Sequence, residues 1–333
     1  MVILTGDRKN YKGEGGAFYK FTALLLSFLY AFLLSYFLPM DDAIKDRANY
    51  LVYAGGSDLI ILRYISGGVL SFVFNEPIWL SINIFLSLFF APEQVVSFVI
   101  FFSASVTAYL ILQDNPRFFL FLLFFLIFPQ VIGKYVVHLR QGLAISVFLL
   151  GWFCLSMKLR WLLFISASLI HASFFFIIAL YILSVITRKL NFAIDLRSFV
   201  IFIFGLIVSF GLGFVATLLG ARQSNEYDFS AAEVSGLGFI FWLGVLVLYW
   251  LQGREFTKRH AFSMTVLVFY LTTYFFIEVT GRIFESVVII VLLSSLELTN
   301  WRKKLFILAC VFFVFLSWLL RINQPWLGWG TGF

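Results

Sequence analysis

From residue 18 to residue 320 the chain is a succession of apolar runs, separated by polar stretches too short to fold alone. A bilayer core about 30 Å thick takes roughly 20 apolar residues per helix. On that measure the runs fall at 18–38, 59–75, 77–91, 95–112, 118–132, 142–157, 161–187, 198–219, 237–252, 261–280, 283–298 and 305–320. The shortest of them stand upright, lie in the interface or re-enter on one side, so the expectation is roughly 11 to 14 transmembrane or re-entrant helices. Only 12% of residues are charged and 62% are hydrophobic, so the outside is apolar as well as the inside,. The expected fold class is all-α, a polytopic integral membrane protein with a single domain over 1–333.

The stretch before the first run, MVILTGDRKNYKGEGG, is polar and basic, and no small-residue cleavage site follows, so the first run reads as a retained signal anchor,. Basic residues mark the cytoplasmic ends of membrane helices. With the N-terminus inside, 1–17 is a cytoplasmic tail and 39–58 and 220–236 are outer loops. Arg8, Lys9, Lys12, Lys20, Arg117, Lys158, Arg160, Arg188, Lys189, Arg197, Arg254, Lys258, Arg259, Arg302, Lys303 and Lys304 then all lie inside. Lys45, Arg47, Arg63, Lys134, Arg140, Arg222, Arg282 and Arg321 fall toward the outer side, where insertion does not explain them. Because the positive pairs around 158–160 and 188–189 both belong inside, the run between them crosses as one long helix only against that rule,. A break near "LIHASF" satisfies it; one helix is the simpler geometry.

Ionisable residues at membrane depth cost a few kcal/mol each unless they face a cavity or a partner. "GKYVVHLRQGLAI", residues 133–145, carries Lys134, His138, Arg140 and Gln141 between two apolar runs. The planar fork of Arg140 suits a pair of phosphate oxygens, although an arginine also snorkels to head groups. On a regular helix Lys134, His138 and Gln141 share one face, while Arg140 points about 160° from His138. They cannot all serve one pocket without a break, and on an unbroken helix His138 should tolerate replacement. His171 lies near the bilayer midplane, as a core histidine or a working one,. Glu278, Arg282 and Glu285 share a face, where an ion pair that orients helices is the alternative to a site,. The first loop gathers Asp41, Asp42, Asp46, Arg47, Tyr50 and Asp58, and Glu76 precedes a proline where it could cap a helix,.

Several function classes drop out. There is no phosphate-binding glycine loop, no H-E-x-x-H and no G-x-S-x-G,. Cys154 and Cys310 sit in separate apolar runs and form neither a disulfide framework nor a metal site,. Topology accounts for most of the basic residues, so the net charge of +7 does not indicate nucleic acid,. Any substrate must arrive already activated, without a cofactor.

"KDRANY", "NEPIWLSINIF", "HLRQGLAISVFLL", "LIHASFFFIIALYIL" and "GRIFESVVIIVLL" occur in the order and spacing found in the Wzy/EpsG family of bacterial polysaccharide polymerases, which the chain resembles over roughly 40–300. The resemblance implies a multi-helix membrane glycosyltransferase of the GT-C-like type, working at the outer face of the bacterial inner membrane. It would move a growing glycan from undecaprenyl pyrophosphate onto a new lipid-linked repeat unit, for O-antigen, capsule or exopolysaccharide. Both lipid-linked substrates, the bilayer and a chain-length-regulating co-polymerase are the partners implied. Arg140, His171, Arg282, Asp46 and Glu76 would be catalytic, and Arg47, Tyr50, Arg63, Lys134, His138, Gln141, Arg222 and Glu278 would bind substrate, with no metal. Among Asp46, Glu76 and His171 the sequence does not choose a proton acceptor. A transporter of an anionic lipid, a metal-dependent glycosyltransferase using Asp41 and Asp42, and an O-antigen ligase stand as alternatives.

Overall fold

The computed structural model describes residues 15–218, 236–277 and 279–331. Among these the chain is all-helical and forms no strand. The first half comprises α1 (Gly15–Tyr36), α2 (Arg47–Ser66), α3 (Val69–Phe74), α4 (Pro77–Ser87), α5 (Pro92–Leu112), α6 (Phe119–Leu126), α7 (Pro129–Val136) and α8 (Leu139–Phe153). The second comprises α9 (Met157–Ile170), α10 (Ser173–Lys189), α11 (Ile194–Leu218), α12 (Leu237–Gln252), α13 (Arg254–Arg259), α14 (Ala261–Thr273), α15 (Val279–Glu285), α16 (Val288–Ser295) and α17 (Asn300–Leu319).

Three helices are long and apolar enough to cross a bilayer, α1, α5 and the 194–211 part of α11, and a fourth span arises if α6 and its bent continuation α7 count as one. The expectation of 11 to 14 spans counted apolar runs, whereas the chain breaks many of those runs into shorter helices. Proline opens α4, α5 and α7, where its missing N–H costs nothing and its ring prevents continuation from the preceding segment,. The first outer loop is also shorter than expected: residues from Arg47 onward are already helical, because α2 buries Arg47, Tyr50, Ala54 and Ser57 on one side despite its polar composition,.

The packing is graded as a membrane requires. Ala23, Ser27 and Ala31 recur every fourth residue on α1 and are fully buried, which lets the helix approach α5 closely through small side chains,. Phe18, Phe21, Leu25, Phe28, Leu29 and Phe32 occupy the opposite, exposed side. An apolar stripe of that width on a water-soluble monomer would aggregate; against lipid tails it costs nothing. At the centre, α8 and α14 are buried on almost every side. Here buried arginines satisfy the carbonyls that helix ends leave unpaired. Arg47 donates to Val136 O at the end of α7, Arg160 to Gly151 O and Cys154 O at the end of α8, and Arg197 to Thr257 O in α13.

Several segments far apart in the chain are in contact at their ends. Lys45 N–H donates to Trp329 O and Thr331 N–H to Ala43 O, so the C-terminal residues lie against the loop that leads to Asp46. Lys258 reaches Asn191, Arg302 reaches Gln252, and Lys303 lies over the Phe118 ring. Segments expected on one side thus meet one another.

Candidate functional site

The polar stretch at 133–145 is not one regular helix. It breaks at Val137 and His138, with His138 at φ −100° and ψ 63° ahead of α8. The break changes which side chains can meet, so Lys134, His138, Arg140 and Gln141 now work from two helix ends and serve one region. Gly142 makes the close approach possible: a Cβ there would lie 2.4 Å from the Lys134 carbonyl oxygen. Gly142→Ala should therefore force α8 away from α7 and destabilise the protein by about 1–3 kcal/mol, read as a lowered midpoint in unfolding of the purified protein.

Of the two geometries left open at "LIHASF", the structure has the break. α9 ends at Ile170, His171 is extended at φ −148° and ψ 122°, and α10 begins at Ser173. One long helix would have carried the His171 ring past the site; the break holds it at the start of α10.

Four elements converge on these breaks. From the start of α4, Glu76 accepts from Arg140 Nη1 at 2.6 Å, with side chains only 5% and 19% exposed. Glu76 caps no helix; its carboxylate turns to the guanidinium instead. The Tyr50 hydroxyl lies within hydrogen-bonding reach of the same guanidinium, whose centre stands 5.4 Å from the Tyr53 ring centroid. Cation–π contact of this kind holds the fork flat. Arg140 Nε is buried with no acceptor, a donor whose desolvation costs about 1–3 kcal/mol until an oxygen meets it,.

Lys134 is 2% exposed and pairs with Glu285 on α15, while its ammonium also donates to Gln141 Oε1 at 3.1 Å. Gln141 Nε2 in turn donates to Arg282 O and Ser286 Oγ. The bland reading of the late charged face, an ion pair that orients helices, is thus realised by Glu285 with Lys134. Arg282 belongs to the same cluster through its backbone, whose carbonyl accepts from both Gln141 Nε2 and Ser286 Oγ.

Asp46 stands at the mouth, its Oδ2 3.7 Å from His138 Nδ1, and both side chains are partly exposed, at 47% and 34%. His138 beside it holds the Asp46 carboxyl below the usual carboxylate range. Asp46 and Glu76 share a further property: both are non-glycine residues in left-handed backbone, at φ 61° and 63°. Such conformations cost of order 1–3 kcal/mol and gather at functional sites.

Of the residues expected to act, Asp46, Tyr50, Glu76, Lys134, His138, Arg140, Gln141, His171 and Arg282 come together. Arg47 lies close by but its guanidinium is spent on the α7 carbonyl. Arg63 lies in the last turn of α2, exposed and beyond the kink at Gly56 that separates it from the Arg47 end. Arg222 and Glu278 fall outside the described residues. The sequence reading passed over Tyr53, Ser173 and Ser286 as site members, and weighed Glu285 only as part of the late charged face. Ser286 carried one signal, lying a helical turn after Arg282, but serine in a membrane helix more often bonds its own backbone, as Ser294 and Ser295 do here,.

Beside this cluster lies an apolar cavity of about 420 Å³, lined by Ile78, Ile82, Phe85, Phe98, Phe102 and Leu143 among others. Ile78 is two residues from Glu76, and Leu143 one turn from Arg140. The cavity thus shares helices α4 and α8 with the ion pair, although neither Glu76 nor Arg140 lines it. Comparisons with family models, with curated proteins and with solved structures find no match to this chain.

Proposed function

We propose that this protein is a membrane glycosyltransferase that transfers a growing glycan from polyprenyl pyrophosphate to a lipid-linked repeat unit, a polysaccharide polymerase at the outer face of the bacterial inner membrane. The observation that carries the reading is that Arg140, with a buried donor left unmet, stands on the same helix as Leu143, a lining residue of the apolar cavity one turn further on. A lipid pyrophosphate has the two halves that such a place would take. Departure of the pyrophosphate develops negative charge, and donors fixed beforehand in a water-poor site stabilise it more strongly than mobile ones. Lys134, Arg140 and Arg282 supply those donors.

The cations are not idle beforehand: Arg140 is paired with Glu76, and Lys134 with Glu285. Pairing makes the buried charges tolerable in the empty protein and fixes their direction. The guanidinium offers five donors, so Arg140 can hold Glu76 through Nη1 and still bind phosphate oxygen through others,.

The helix breaks at His138 and His171 favour a second reading, a transporter of an anionic lipid, because transporters build their central sites from interrupted helices,. Purified protein in liposomes separates the two. Supplied with lipid-linked repeat units, the polymerase should yield a ladder of longer glycans, and the ladder should persist in chelator. Movement of intact substrate across the bilayer with no ladder would establish the transporter reading instead. Glycan joined to a lipid A core would mark a ligase, and rescue of a chelated enzyme by a divalent cation would mark the metal-dependent alternative.

A further inference from the structure

The two histidines at the site are held from opposite sides of their chemistry. A neutral imidazole has one N–H donor and one bare acceptor nitrogen, and whichever partner meets Nδ1 decides what Nε2 presents. At His171 the partner is a donor. The backbone N–H of Ser173 points at Nδ1 from 3.3 Å, and a backbone N–H can only donate. The Ser173 hydroxyl, 2.8 Å from the same nitrogen, must then donate as well. Ser286 Oγ, 3.3 Å beyond, accepts from Gln141 Nε2 and donates its own proton to the Arg282 carbonyl at 2.9 Å, so it has none to give the Ser173 hydroxyl. Both Ser173 donors therefore end on a bare His171 Nδ1, and the proton sits on Nε2, which has no partner among the described residues.

At His138 the partner is an acceptor. Nδ1 faces the Asp46 carboxylate, at a distance that a small inward movement of the mouth would turn into a hydrogen bond. Contacts of this kind are commonly long before substrate is bound. A carboxylate can only accept, so a hydrogen bond that closes this 3.7 Å gap requires the proton on Nδ1 and leaves Nε2 bare,.

We propose that the two histidines act as opposite tautomers, His171 presenting Nε2–H as a donor to the leaving oxygen and His138 presenting a bare Nε2 as the base. The roles rest on the glycosyl-transfer reading; the tautomers rest on the geometry alone. In the step itself, the acceptor hydroxyl oxygen forms a bond to the anomeric carbon of the donor glycan. The bond from that carbon to pyrophosphate breaks, and its electron pair leaves on the phosphate oxygen. The hydroxyl proton passes to His138 Nε2 and then to water. The charged leaving oxygen accepts hydrogen bonds from His171 Nε2–H and Arg140, and no proton need leave His171. Both histidines are half-buried, and Asp46 beside His138 is 47% exposed, which leaves that side open to an arriving sugar hydroxyl. Ser173 and Asp46 are then positioning residues, each acting through its histidine.

The chain has only three histidines, so the proposal can be tested on the whole protein by nitrogen NMR with ¹⁵N-histidine, each signal assigned by substitution of His138, His171 or His260. The expected result is a proton on Nε2 of His171 and on Nδ1 of His138. Ser173→Ala should shift only the His171 signals toward a mixture of tautomers, and Asp46→Ala only those of His138. A proton on His171 Nδ1, or on His138 Nε2, in the unsubstituted protein would overturn the proposal, and needs no variant to fold. In the ladder assay His138→Gln should lower turnover by about 10² to 10⁴; a rate within threefold of the parent would overturn the base role. The expected tautomers without any ladder would leave the geometry standing and remove the glycosyl-transfer reading.

Discussion

Arg140→Lys is expected to cut conversion of lipid-linked repeat units into a glycan ladder by about 10² to 10³ while the protein still folds and inserts, the usual cost of one lost transition-state donor. Lysine keeps a positive charge for Glu76, which at 5% exposure would otherwise be a buried carboxylate that has lost its ion pair. What it cannot keep is the fork. A single ammonium engaged by Glu76 has no counterpart of the buried Nε, and it cannot reproduce the flat contact with Tyr53 or the approach to Tyr50,. Folding is judged by expression level and unfolding midpoint, catalysis by the ladder at matched protein concentration. A normal ladder from Arg140→Lys would mean that the guanidinium geometry is not used, and the pyrophosphate site would have to move elsewhere. His171→Ala should approach the Arg140→Lys defect, because it removes the second donor from the same leaving oxygen.

The second large effect concerns stability. Glu285→Leu should destabilise the protein by about 3–5 kcal/mol, since it strands the Lys134 ammonium, 2% exposed, with only the Gln141 amide oxygen as partner,. Adding Lys134→Met should recover most of that loss, because removing both charges removes the desolvation cost together with the attraction. A double-mutant cycle by reversible unfolding in mixed micelles measures the difference. A cost below about 1 kcal/mol for the single change would show that the pair is solvated and weak. The ladder separates stability from function: the double variant should be stable and still impaired, because Gln141 then loses its ammonium donor and the hydrogen-bond chain toward Ser286 loses its anchor.

How far the chain could be read without its structure differs from element to element. Long apolar runs such as those in α1 and α5 need only length and hydrophobicity to be recognised, because lipid demands the same of every spanning helix,. Most of the polar residues singled out at membrane depth, among them Glu76, Lys134, Arg140 and Gln141, do meet one another. The sequence did not show how they meet. Periodicity placed Arg140 and His138 on opposite sides of one helix, a sound inference for a regular helix that a two-residue break makes void,.

The sequence by itself determined that the chain is helical and apolar on its outside, and that its ionisable residues at depth require partners, since both follow from the cost of bare polar groups in hydrocarbon. Only the tertiary structure decided where the helices stop and which partner each charge takes. Those outcomes depend on contacts between residues far apart in the chain: Gly142 against the Lys134 carbonyl, Glu76 on Arg140, Glu285 on Lys134, and Arg47 spent on a helix end. A helix break at His138 or His171 leaves backbone groups to be satisfied by neighbours that arrive from other segments. No local pattern of residues encodes that arrival; it exists only once the helices are packed.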